Sequence, residues 1–285
     1  MNILITGANG QLGKALNNVL KSDIENEVFA TDIDILDICK QADVEQFIKS
    51  NSIDIIVNCA AYTAVDKAEN DSDNAFLLNS TAPTNLAKEA KKAGISYITI
   101  STDYVFDGKA FKPLTEDDIT NPLSVYGKSK LEGEKQVLKA NPNSIIIRTS
   151  WLYSSYGNNF VKTITKIAKQ NDTIRVVSDQ IGSPTNAKNL AEAIFEIMKF
   201  LKNNTDKSYG GIYHYSNEGV CSWYDFAKAI LEFQNIKTNV IAVSSDDFKT
   251  IAKRPYYSVL SKKKIKEVFN LEIPHWQESL KANLL

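Results

Sequence analysis

A glycine-rich turn directly after the first apolar run is the feature that most restricts how this chain can fold. Residues 2–6 (NILIT) form that run, residues 7–13 (GANGQLG) follow it, and a helical pattern extends from residue 14 to residue 21. Glycines at this spacing permit a tight turn and let the backbone approach a pyrophosphate, which then lies at a helix N-terminus. The strand–turn–helix context predicts a dinucleotide-binding fold, whereas the turn alone could be merely structural.

Short apolar runs recur through the first half of the chain and alternate with helical patterns. The runs cover residues 27–31, 54–58, 96–100 and 144–148, and the helical patterns cover 72–93 and about 122–140. Strands that alternate with helices favour a parallel sheet covered on both faces. We therefore predict an α/β fold with a Rossmann-type doubly wound parallel sheet and a smaller C-terminal α/β substrate-binding domain. The dinucleotide-binding domain should comprise residues 1–150 together with about 187–216, and the substrate-binding domain mainly residues 151–186 and 217–285.

The end of the second predicted strand carries a carboxylate at a position that matters for the choice of cofactor. Asp32 lies 19 residues beyond Gly13, where this fold commonly binds the adenosine ribose hydroxyls through an acidic side chain. A carboxylate there repels a 2′-phosphate and favours NADH over NADPH, although an aspartate also serves simply in turns. Asp37 and Ile38, which are predicted to open the next helix, could flank the adenine.

Two hydroxyl groups and one ammonium group are predicted to meet at the carboxyl end of the sheet. The fourth predicted strand leads into Thr102, and ligands of open α/β sheets bind outside the carboxyl ends of strands. Tyr126 and Lys130 lie four residues apart on a predicted helix and share one face. The ammonium should lower the pKa of the tyrosine so that its phenol can protonate an oxyanion, while Thr102 binds the reacting carbonyl. The Tyr–Lys pair alone also arises by chance on surface helices.

The composition of the chain gives no reason to expect nucleic acid, a membrane or a metal as a partner. The formal net charge is −1, which gives no reason to expect nucleic acid or an anionic membrane as a partner. The chain begins without a basic leader or a long apolar stretch. It has three cysteines without a C-x-x-C pair and two histidines, which is too few for a histidine-based metal site. We therefore expect a cytoplasmic protein with no metal, membrane or nucleic-acid partner.

Seven stretches resemble, in the same order, those of the dTDP-4-dehydrorhamnose reductase family within the extended short-chain dehydrogenase/reductase superfamily. They are GANGQLG (7–13), NCAAYTAVDKAE (58–69), STDYVFDG (101–108), YGKSK (126–130), RTSWLY (148–153), GSPT (182–185) and RPYYSVLS (254–261). The resemblance implies an NADPH- or NADH-dependent reduction of the C4 ketone of a dTDP-linked 4-keto-6-deoxysugar, which gives dTDP-L-rhamnose.

The same resemblance implies roles for residues at matching positions. The catalytic residues would be Thr102, Tyr126 and Lys130, with Lys130 also on the nicotinamide ribose. The cofactor would be lined by Gly7, Gly10, Gln11, Leu12, Gly13, Asp32, Ala60, Ala61 and Tyr62. The deoxysugar would be surrounded by Val65, Asp66, Val105, Phe106 and Trp151.

Two further residues are candidate substrate contacts because of their own chemistry. Gln180 belongs to a loop rich in hydrogen-bonding groups, residues 179–185, which could hold the nucleotide part of the substrate. Arg254 carries a planar, permanently charged fork that suits a sugar diphosphate. The alternative for Arg254 is an ordinary surface ion pair.

The chain departs from some relatives, which form a dimer through a magnesium ion bridged by glutamates. Lys14, Ala15 and Lys188 stand in that neighbourhood here, and they are not oxygen ligands for a hard cation. We therefore expect no metal, while a homodimer remains an expectation. Two alternative functions stay open: a reductase of a different nucleotide-linked 4-keto-6-deoxysugar, and a non-catalytic NAD(P)-binding regulatory subunit like the partner of methionine adenosyltransferase.

Overall fold

The computed structural model describes residues 1–21 and 25–284 of the chain. The first half contains β1 (Asn2–Thr6), α1 (Gln11–Leu20), β2 (Glu27–Thr31), α2 (Gln41–Ser50), β3 (Ile55–Asn58), α3 (Val65–Ala68), α4 (Ser72–Phe76), a π-helical turn (Leu77–Thr81), α5 (Ala82–Ala93), β4 (Ser96–Thr102), a 3₁₀ turn (Asp103–Val105), α6 (Val125–Ala140) and β5 (Ile145–Thr149). The second half contains β6 (Leu152–Tyr153), α7 (Phe160–Ala168), β7 (Thr173–Val177), β8 (Ile181–Gly182), β9 (Thr185–Asn186), α8 (Ala187–Asn203), β10 (Gly211–His214), β11 (Cys221–Ser222), α9 (Trp223–Phe233), β12 (Asn239–Val243), a 3₁₀ turn (Ser245–Asp247), α10 (Lys263–Phe269) and α11 (Trp276–Leu284).

The central sheet is parallel and has the order β2-β1-β3-β4-β5-β10. The strands are nearly continuous apolar runs, as expected of strands that are covered on both faces. The order reverses between β1 and β3, so the connections leave in opposite directions and open a crevice at the carboxyl ends of these strands. The predicted Rossmann-type doubly wound α/β fold is therefore confirmed.

Helices cover both faces of this sheet. Helices α1, α8 and α10 pack on one face in a core that includes Leu16, Ile194 and Phe269. Helices α2, α5 and α6 pack on the other face around residues such as Leu86 and Val137. Every one of these helices presents an apolar stripe at helical spacing to the sheet, and burial of each large aliphatic side chain stabilises the fold by about 1.5–3 kcal/mol.

A second, smaller core lies in the C-terminal half. The strands β7 and β12 pair in parallel, and helices α7, α9 and α11 pack beside them around Phe226, Ile230 and Leu280. Segment 187–216 contributes α8 and β10 to the main sheet, and β10 pairs with β5. Helix α10 also packs on the main core, although it lies within residues 217–285. The division into two domains stays a prediction.

The helix predicted over residues 72–93 is interrupted by the π-helical turn. Asn79 in that turn accepts a hydrogen bond from the Tyr62 backbone N–H at 2.9 Å and donates to the Tyr62 carbonyl at 3.1 Å and to Ser129 Oγ at 3.0 Å. Gly133 of α6 passes so close that an added Cβ would collide with the Asn79 carbonyl oxygen. The turn thus fixes α6 against the loop after β3, and irregular helical turns of this kind recur at functional sites.

The prediction that Asp37 and Ile38 open the second helix was wrong. Helix α2 begins at Gln41, and Lys40 is its N-cap residue. Asp37 instead forms a turn in which its side chain accepts a hydrogen bond from the Cys39 N–H at 3.0 Å. Aspartate stabilises such turns through its own backbone contacts, and this preference competes with helix formation. Among the helices described, none is long and apolar enough to span a membrane.

Candidate active site

The glycine turn is held tightly against its neighbours. Gly7 has φ +66°, and a Cβ there would lie 2.6 Å from the backbone of Ala60. A Cβ at Gly13 would collide with the Gly7 carbonyl oxygen. The absence of side chains lets the loops after β1 and β3 touch and lets α1 begin directly on the turn. Gly10 caps α1, whose N-terminal N–H groups point out of the turn.

A cleft of about 750 Å³ opens over this turn and over the carboxyl ends of the central strands. Many predicted site residues line it: Gly7, Gly10, Gln11, Leu12, Asp32, Asp37, Ile38, Ala60, Ala61, Val65, Thr102, Tyr126, Lys130 and Trp151. The lining also includes residues that the sequence analysis did not select, namely Asn9, Ile33, Leu36, Thr63, Leu78, Ser101, Asp103, Tyr104, Ser150 and Asn158. Most of these follow strand ends, and that position is the signal that could have found them.

The carboxylate predicted to bind an adenosine ribose is fixed at one end of the cleft. Asp32 accepts hydrogen bonds from the Asn9 N–H at 3.1 Å and from the Ile33 N–H at 2.9 Å. These bonds hold the side chain beside the glycine turn. Ile33 and Leu36 supply apolar surface next to it.

A buried amide clamps the three central strands below the cleft. Asn58 accepts hydrogen bonds from Thr6 Oγ1 at 2.7 Å and from the Ala60 N–H at 3.1 Å, and donates to Thr99 Oγ1 at 3.0 Å. These bonds connect β1, β3 and β4 at the level where the ligand-binding loops begin. Because buried polar groups need partners, the full set of bonds gives this end of the sheet one defined geometry.

The glycine turn also contacts the C-terminal half of the chain. The Gln11 side-chain oxygen accepts hydrogen bonds from Ser154 Oγ at 3.1 Å and from Asn159 Nδ2 at 2.9 Å. Asn159 is also the N-cap residue of α7 and accepts a hydrogen bond from the Lys162 N–H. The two halves of the cleft are therefore linked directly through Gln11.

The predicted acid/base residues converge at the end of β4. Ser124 caps α6 by accepting a hydrogen bond from the Gly127 N–H at 3.1 Å, and the helix begins at Val125, one residue before Tyr126. A Cβ at Gly127 would collide with the Tyr104 carbonyl oxygen, so α6 lies directly against the turn after β4. Tyr126 and Thr102 consequently line the same cleft at the end of β4.

Lys130 lies one turn further along α6, and its ammonium is directed at the backbone of β4. Its Nζ donates to the Ile100 carbonyl at 2.6 Å. Burial lowers the pKa of Lys130 to about 8, while the Glu134 carboxylate acts to raise it. Burial holds the pKa of Tyr126 above its usual value, and the neighbouring Thr102 hydroxyl acts to lower it. The influence of Lys130 on the pKa of Tyr126 stays a prediction, since here burial is the largest influence on the phenol and the ammonium is directed at a carbonyl.

Trp151 forms part of one wall of the cleft and is backed by a second tryptophan. Trp151 stacks on Trp223 with ring centroids 3.6 Å apart and an interplanar angle of 10°. The Trp151 backbone has φ +50°, which is unusual for a bulky residue. Gly182 makes room for the ring, since an added Cβ would lie 2.7 Å from Trp151 Cε2. Such a conformation persists only where the surroundings hold it, and here the stack and Gly182 do so.

Val105 and Phe106 were predicted to surround a sugar, and their side chains do not reach the cleft. They are 0% and 2% exposed and pack with Leu114 and Leu260 in a small core. The Phe106 ring lies 5.1 Å from the Arg148 guanidinium carbon. The 3₁₀ turn after β4 directs these side chains inward, so any role of the two residues in binding a sugar stays a prediction.

Four other predicted contacts lie outside the lining of the cleft. The Tyr62 hydroxyl donates to Asp71 at 2.8 Å, and Gln180 is buried and donates to Ser245 Oγ at 2.9 Å. Asp66 and Arg254 form an ion pair of 3.0 Å that joins α3 to the late RPYYSVLS segment. The side chain of Arg254 is about one third exposed, which agrees with the ion-pair alternative. Roles for these four residues in binding stay predictions, as does one for Gly13, whose position serves packing within the turn.

The residues present fit a dinucleotide bound along the cleft. Gly7 and Gly13 leave a cradle that side chains would fill, and the N-terminus of α1 faces it. Asp32 offers a carboxylate to ribose hydroxyls at one end, and Lys130 offers an ammonium at the other. Hydroxyl groups that can protonate an oxyanion lie beside this second end.

Fold and cleft together define a nicotinamide-dependent reductase of the extended short-chain type. The chain belongs to the family described as the RmlD substrate binding domain, whose sequence model matches residues 1–285. It is 42% identical to the spore coat polysaccharide biosynthesis protein SpsK of Bacillus subtilis, over 99% of this chain and 96% of that protein. It is also 42% identical to the dTDP-4-dehydrorhamnose reductase of Aggregatibacter actinomycetemcomitans, over 98% and 97% of the two chains.

A solved structure agrees with these relationships. The dTDP-4-dehydrorhamnose reductase of Bacillus anthracis, in complex with NADP, has a TM-score of 0.93 to this chain and 40% sequence identity. The match covers 99% of this chain and 98% of that one. The family resemblance predicted from the seven sequence stretches is confirmed.

Proposed function

We propose that this protein is an NAD(P)H-dependent reductase of the C4 ketone of dTDP-4-dehydro-L-rhamnose, and that it produces dTDP-L-rhamnose. The observation that carries the proposal is the convergence of Thr102, Tyr126 and Lys130 with the glycine turn in a single cleft. The family relationship supports the choice of substrate, because relatives of similar length that carry this reductase name cover nearly the whole chain.

In the proposed reaction, the residues of this chain deliver a proton and orient the substrate and the cofactor. The nicotinamide supplies a hydride to the ketone carbon when it is bound. Tyr126 donates its phenolic proton to the ketone oxygen, so that C=O becomes CH–OH. Thr102 and Tyr126 hold the carbonyl at the end of β4, and Lys130 holds a ribose hydroxyl through its ammonium. A phenol whose pKa is raised by burial remains protonated at neutral pH, which suits a proton donor.

The proposed cofactor is NADH or NADPH, with a preference for NADH. The Asp32 carboxylate stands where a 2′-phosphate would be repelled, and its two hydrogen bonds to backbone N–H groups hold it there. The Bacillus anthracis relative was solved with NADP, so use of NADPH belongs to the same proposal. A homodimer and a cytoplasmic location stay predictions.

A substrate panel tests the proposal and both alternatives. The purified protein is assayed for NADH and NADPH oxidation with dTDP-4-dehydro-L-rhamnose and with other nucleotide-linked 4-keto-6-deoxysugars. The proposal expects the highest kcat/KM with the first substrate. A higher value with another sugar favours the alternative reductase. Cofactor binding without turnover of any ketone favours the regulatory subunit, which has no need of a buried proton donor.

A further inference from the structure

We propose that Asp103 is a positioning residue that sets the direction of the Thr102 hydroxyl, and so decides whether Thr102 can donate to a substrate carbonyl. The inference rests on the proposed function and deepens it. It concerns a carboxyl group that borders the cleft beside the acid/base residues, at the start of the turn after β4.

When Asp103 is ionised, its carboxylate accepts a hydrogen bond from the Thr102 hydroxyl. Thr102 Oγ1 donates to Asp103 Oδ1 at 3.0 Å and accepts from the Tyr104 N–H at 3.2 Å. A hydroxyl has one proton and two lone pairs, so one lone pair remains. In this state Thr102 has no proton for a ketone, because its only proton is directed at Asp103.

Protonation of Asp103 reverses this chain of bonds. A neutral carboxyl group has one O–H donor, which can donate to Thr102 Oγ1. Together with the Tyr104 N–H it then fills both lone pairs of Thr102. The Thr102 proton can then turn towards the cleft, where it can bind the ketone oxygen. No covalent bond changes in this step, because hydroxyl rotation and one proton on Asp103 account for it.

The surroundings of Asp103 favour the neutral form. The residue is 2% exposed, and among residues 1–21 and 25–284 its Oδ2 has no hydrogen-bond partner. Burial raises the pKa of Asp103 to about 6, while the Ser258 and Thr102 hydroxyls and nearby backbone N–H groups act to lower it. A buried carboxylate without a cationic partner gains a proton more readily than an exposed one.

The groups that face Asp103 contribute little opposing charge. From α6 it faces the Tyr126 phenol, and from its own turn the Tyr104 phenol, both of which have raised pKa values. From the segment after β12 it faces the hydroxyl of Ser258, which is itself 1% exposed. The nearby charged pair Arg254–Asp66 acts on Tyr104.

Two pH profiles test the inference. In the wild-type protein, the neutral form of Asp103 is the active one. We therefore expect kcat to fall by about tenfold per pH unit above pH 6. This fall begins before Lys130 loses its charge near pH 8. Asp103→Asn should abolish this first limb, since the amide does not titrate. Asp117→Asn, which removes an exposed carboxylate from the loop before α6, should keep it. An unchanged first limb in Asp103→Asn would overturn the inference.

Two further measurements keep the test decisive. Ser258→Ala retains the carboxyl and removes a hydroxyl that lowers its pKa, so the first limb should move to higher pH; a shift to lower pH contradicts the inference. Infrared spectra of the protein without substrate should contain a carboxylic-acid C=O band that titrates near pH 6 in the wild type and in Asp117→Asn but not in Asp103→Asn. Absence of that band overturns the inference even if every nucleotide sugar fails as a substrate, which is the separate failure of the proposed function.

Discussion

Arg148 of β5 and Glu134 of α6 form a two-point ion pair directly beneath the candidate active site. The guanidinium donates to the carboxylate from Nε at 2.9 Å and from Nη2 at 2.7 Å, and the two side chains are 2% and 3% exposed. Glu134 also accepts a hydrogen bond from Ser101, the neighbour of Thr102, and it lies one helical turn after Lys130. The pair therefore fixes β4, β5 and α6 relative to one another where the acid/base residues meet.

Glu134→Gln tests the influence of this carboxylate on Lys130. The carboxylate acts to raise the pKa of Lys130, which burial has lowered to about 8, so its removal should lower that pKa further. Lys130 would then lose its proton, and the protein its activity, at lower pH than in the wild type. The alkaline limb of kcat/KM measures this shift. Glu132→Gln, on the same helix, is the matched control, and an alkaline limb that does not move in Glu134→Gln contradicts this role.

The same substitution should also destabilise the protein. Removing one partner of a buried ion pair leaves the other charge uncompensated, at a cost of about 3–5 kcal/mol in the free energy of unfolding. Urea denaturation followed by circular dichroism measures the loss. A loss no larger than that of Glu132→Gln would show that the buried pair contributes little.

Replacement of Asp32 by Ser should shift the cofactor preference towards NADPH. The side chain loses the negative charge that repels a 2′-phosphate, while a hydroxyl can still bind one of the two backbone N–H groups. We expect the ratio of kcat/KM for NADPH over that for NADH to rise about tenfold, which corresponds to about 1.4 kcal/mol. Steady-state kinetics with both cofactors measures the ratio. An unchanged ratio would mean that Asp32 does not face the 2′ position.

Trp223 is expected to support Trp151 in substrate binding. Trp223→Leu removes the stack behind Trp151, and an aromatic pair contributes about 0.5–1.5 kcal/mol beyond its buried area. We predict a rise in KM for the nucleotide sugar of about twofold to tenfold with little change in kcat or in NADH affinity. Trp276→Phe is the control, because Trp276 packs against Phe226 in the same core. If the two substitutions had equal effects, Trp223 would contribute only general packing and would have no specific role in supporting Trp151.

Gly133→Ala should separate α6 from the π-helical turn. The new Cβ would collide with the Asn79 carbonyl oxygen, a backbone atom that cannot rotate away. Overpacking of this kind costs about 1–3 kcal/mol and should displace Tyr126 and Lys130 on the same helix. Thermal unfolding measures the loss of stability, and kcat measures the effect of the displaced residues. The control is Gly94→Ala, where a Cβ has open space and only the φ of +69° is unfavourable; full activity in Gly133→Ala would contradict the proposed contact.

Local patterns in the sequence were sufficient for much of the fold. The glycine turn, the apolar strands and the i, i+4 spacing of Tyr126 and Lys130 depend on neighbours a few residues away, and the structure retains all of them. Because ligands of parallel sheets bind at the carboxyl ends of strands, the sequence alone placed Thr102 near Tyr126. These features predicted the cleft and about half of its lining.

Features that depend on contacts between distant segments could not be predicted. The inward orientation of Val105 and Phe106 depends on Leu260, and the burial that raises the pKa of Tyr126 depends on the packing of α6 against Tyr104. The Arg148–Glu134 pair joins a strand to a helix face that reads as ordinary surface charge in sequence. Burial decides the orientation, the pKa and the ion pair in these examples, and neither periodicity nor motif spacing shows which side chains are buried.

Single-turnover reduction by Tyr126→Phe tests the central claim most directly. Wild-type protein and variant are saturated with NADH and mixed with dTDP-4-dehydro-L-rhamnose, and NADH oxidation and the appearance of dTDP-L-rhamnose are followed together. Tyr209→Phe, which removes a distant phenol, is the control. Tyr126→Phe should bind NADH as the wild type does and reduce the sugar about 10²–10⁴-fold more slowly. Reduction at the wild-type rate would contradict the assignment of Tyr126 as the proton donor.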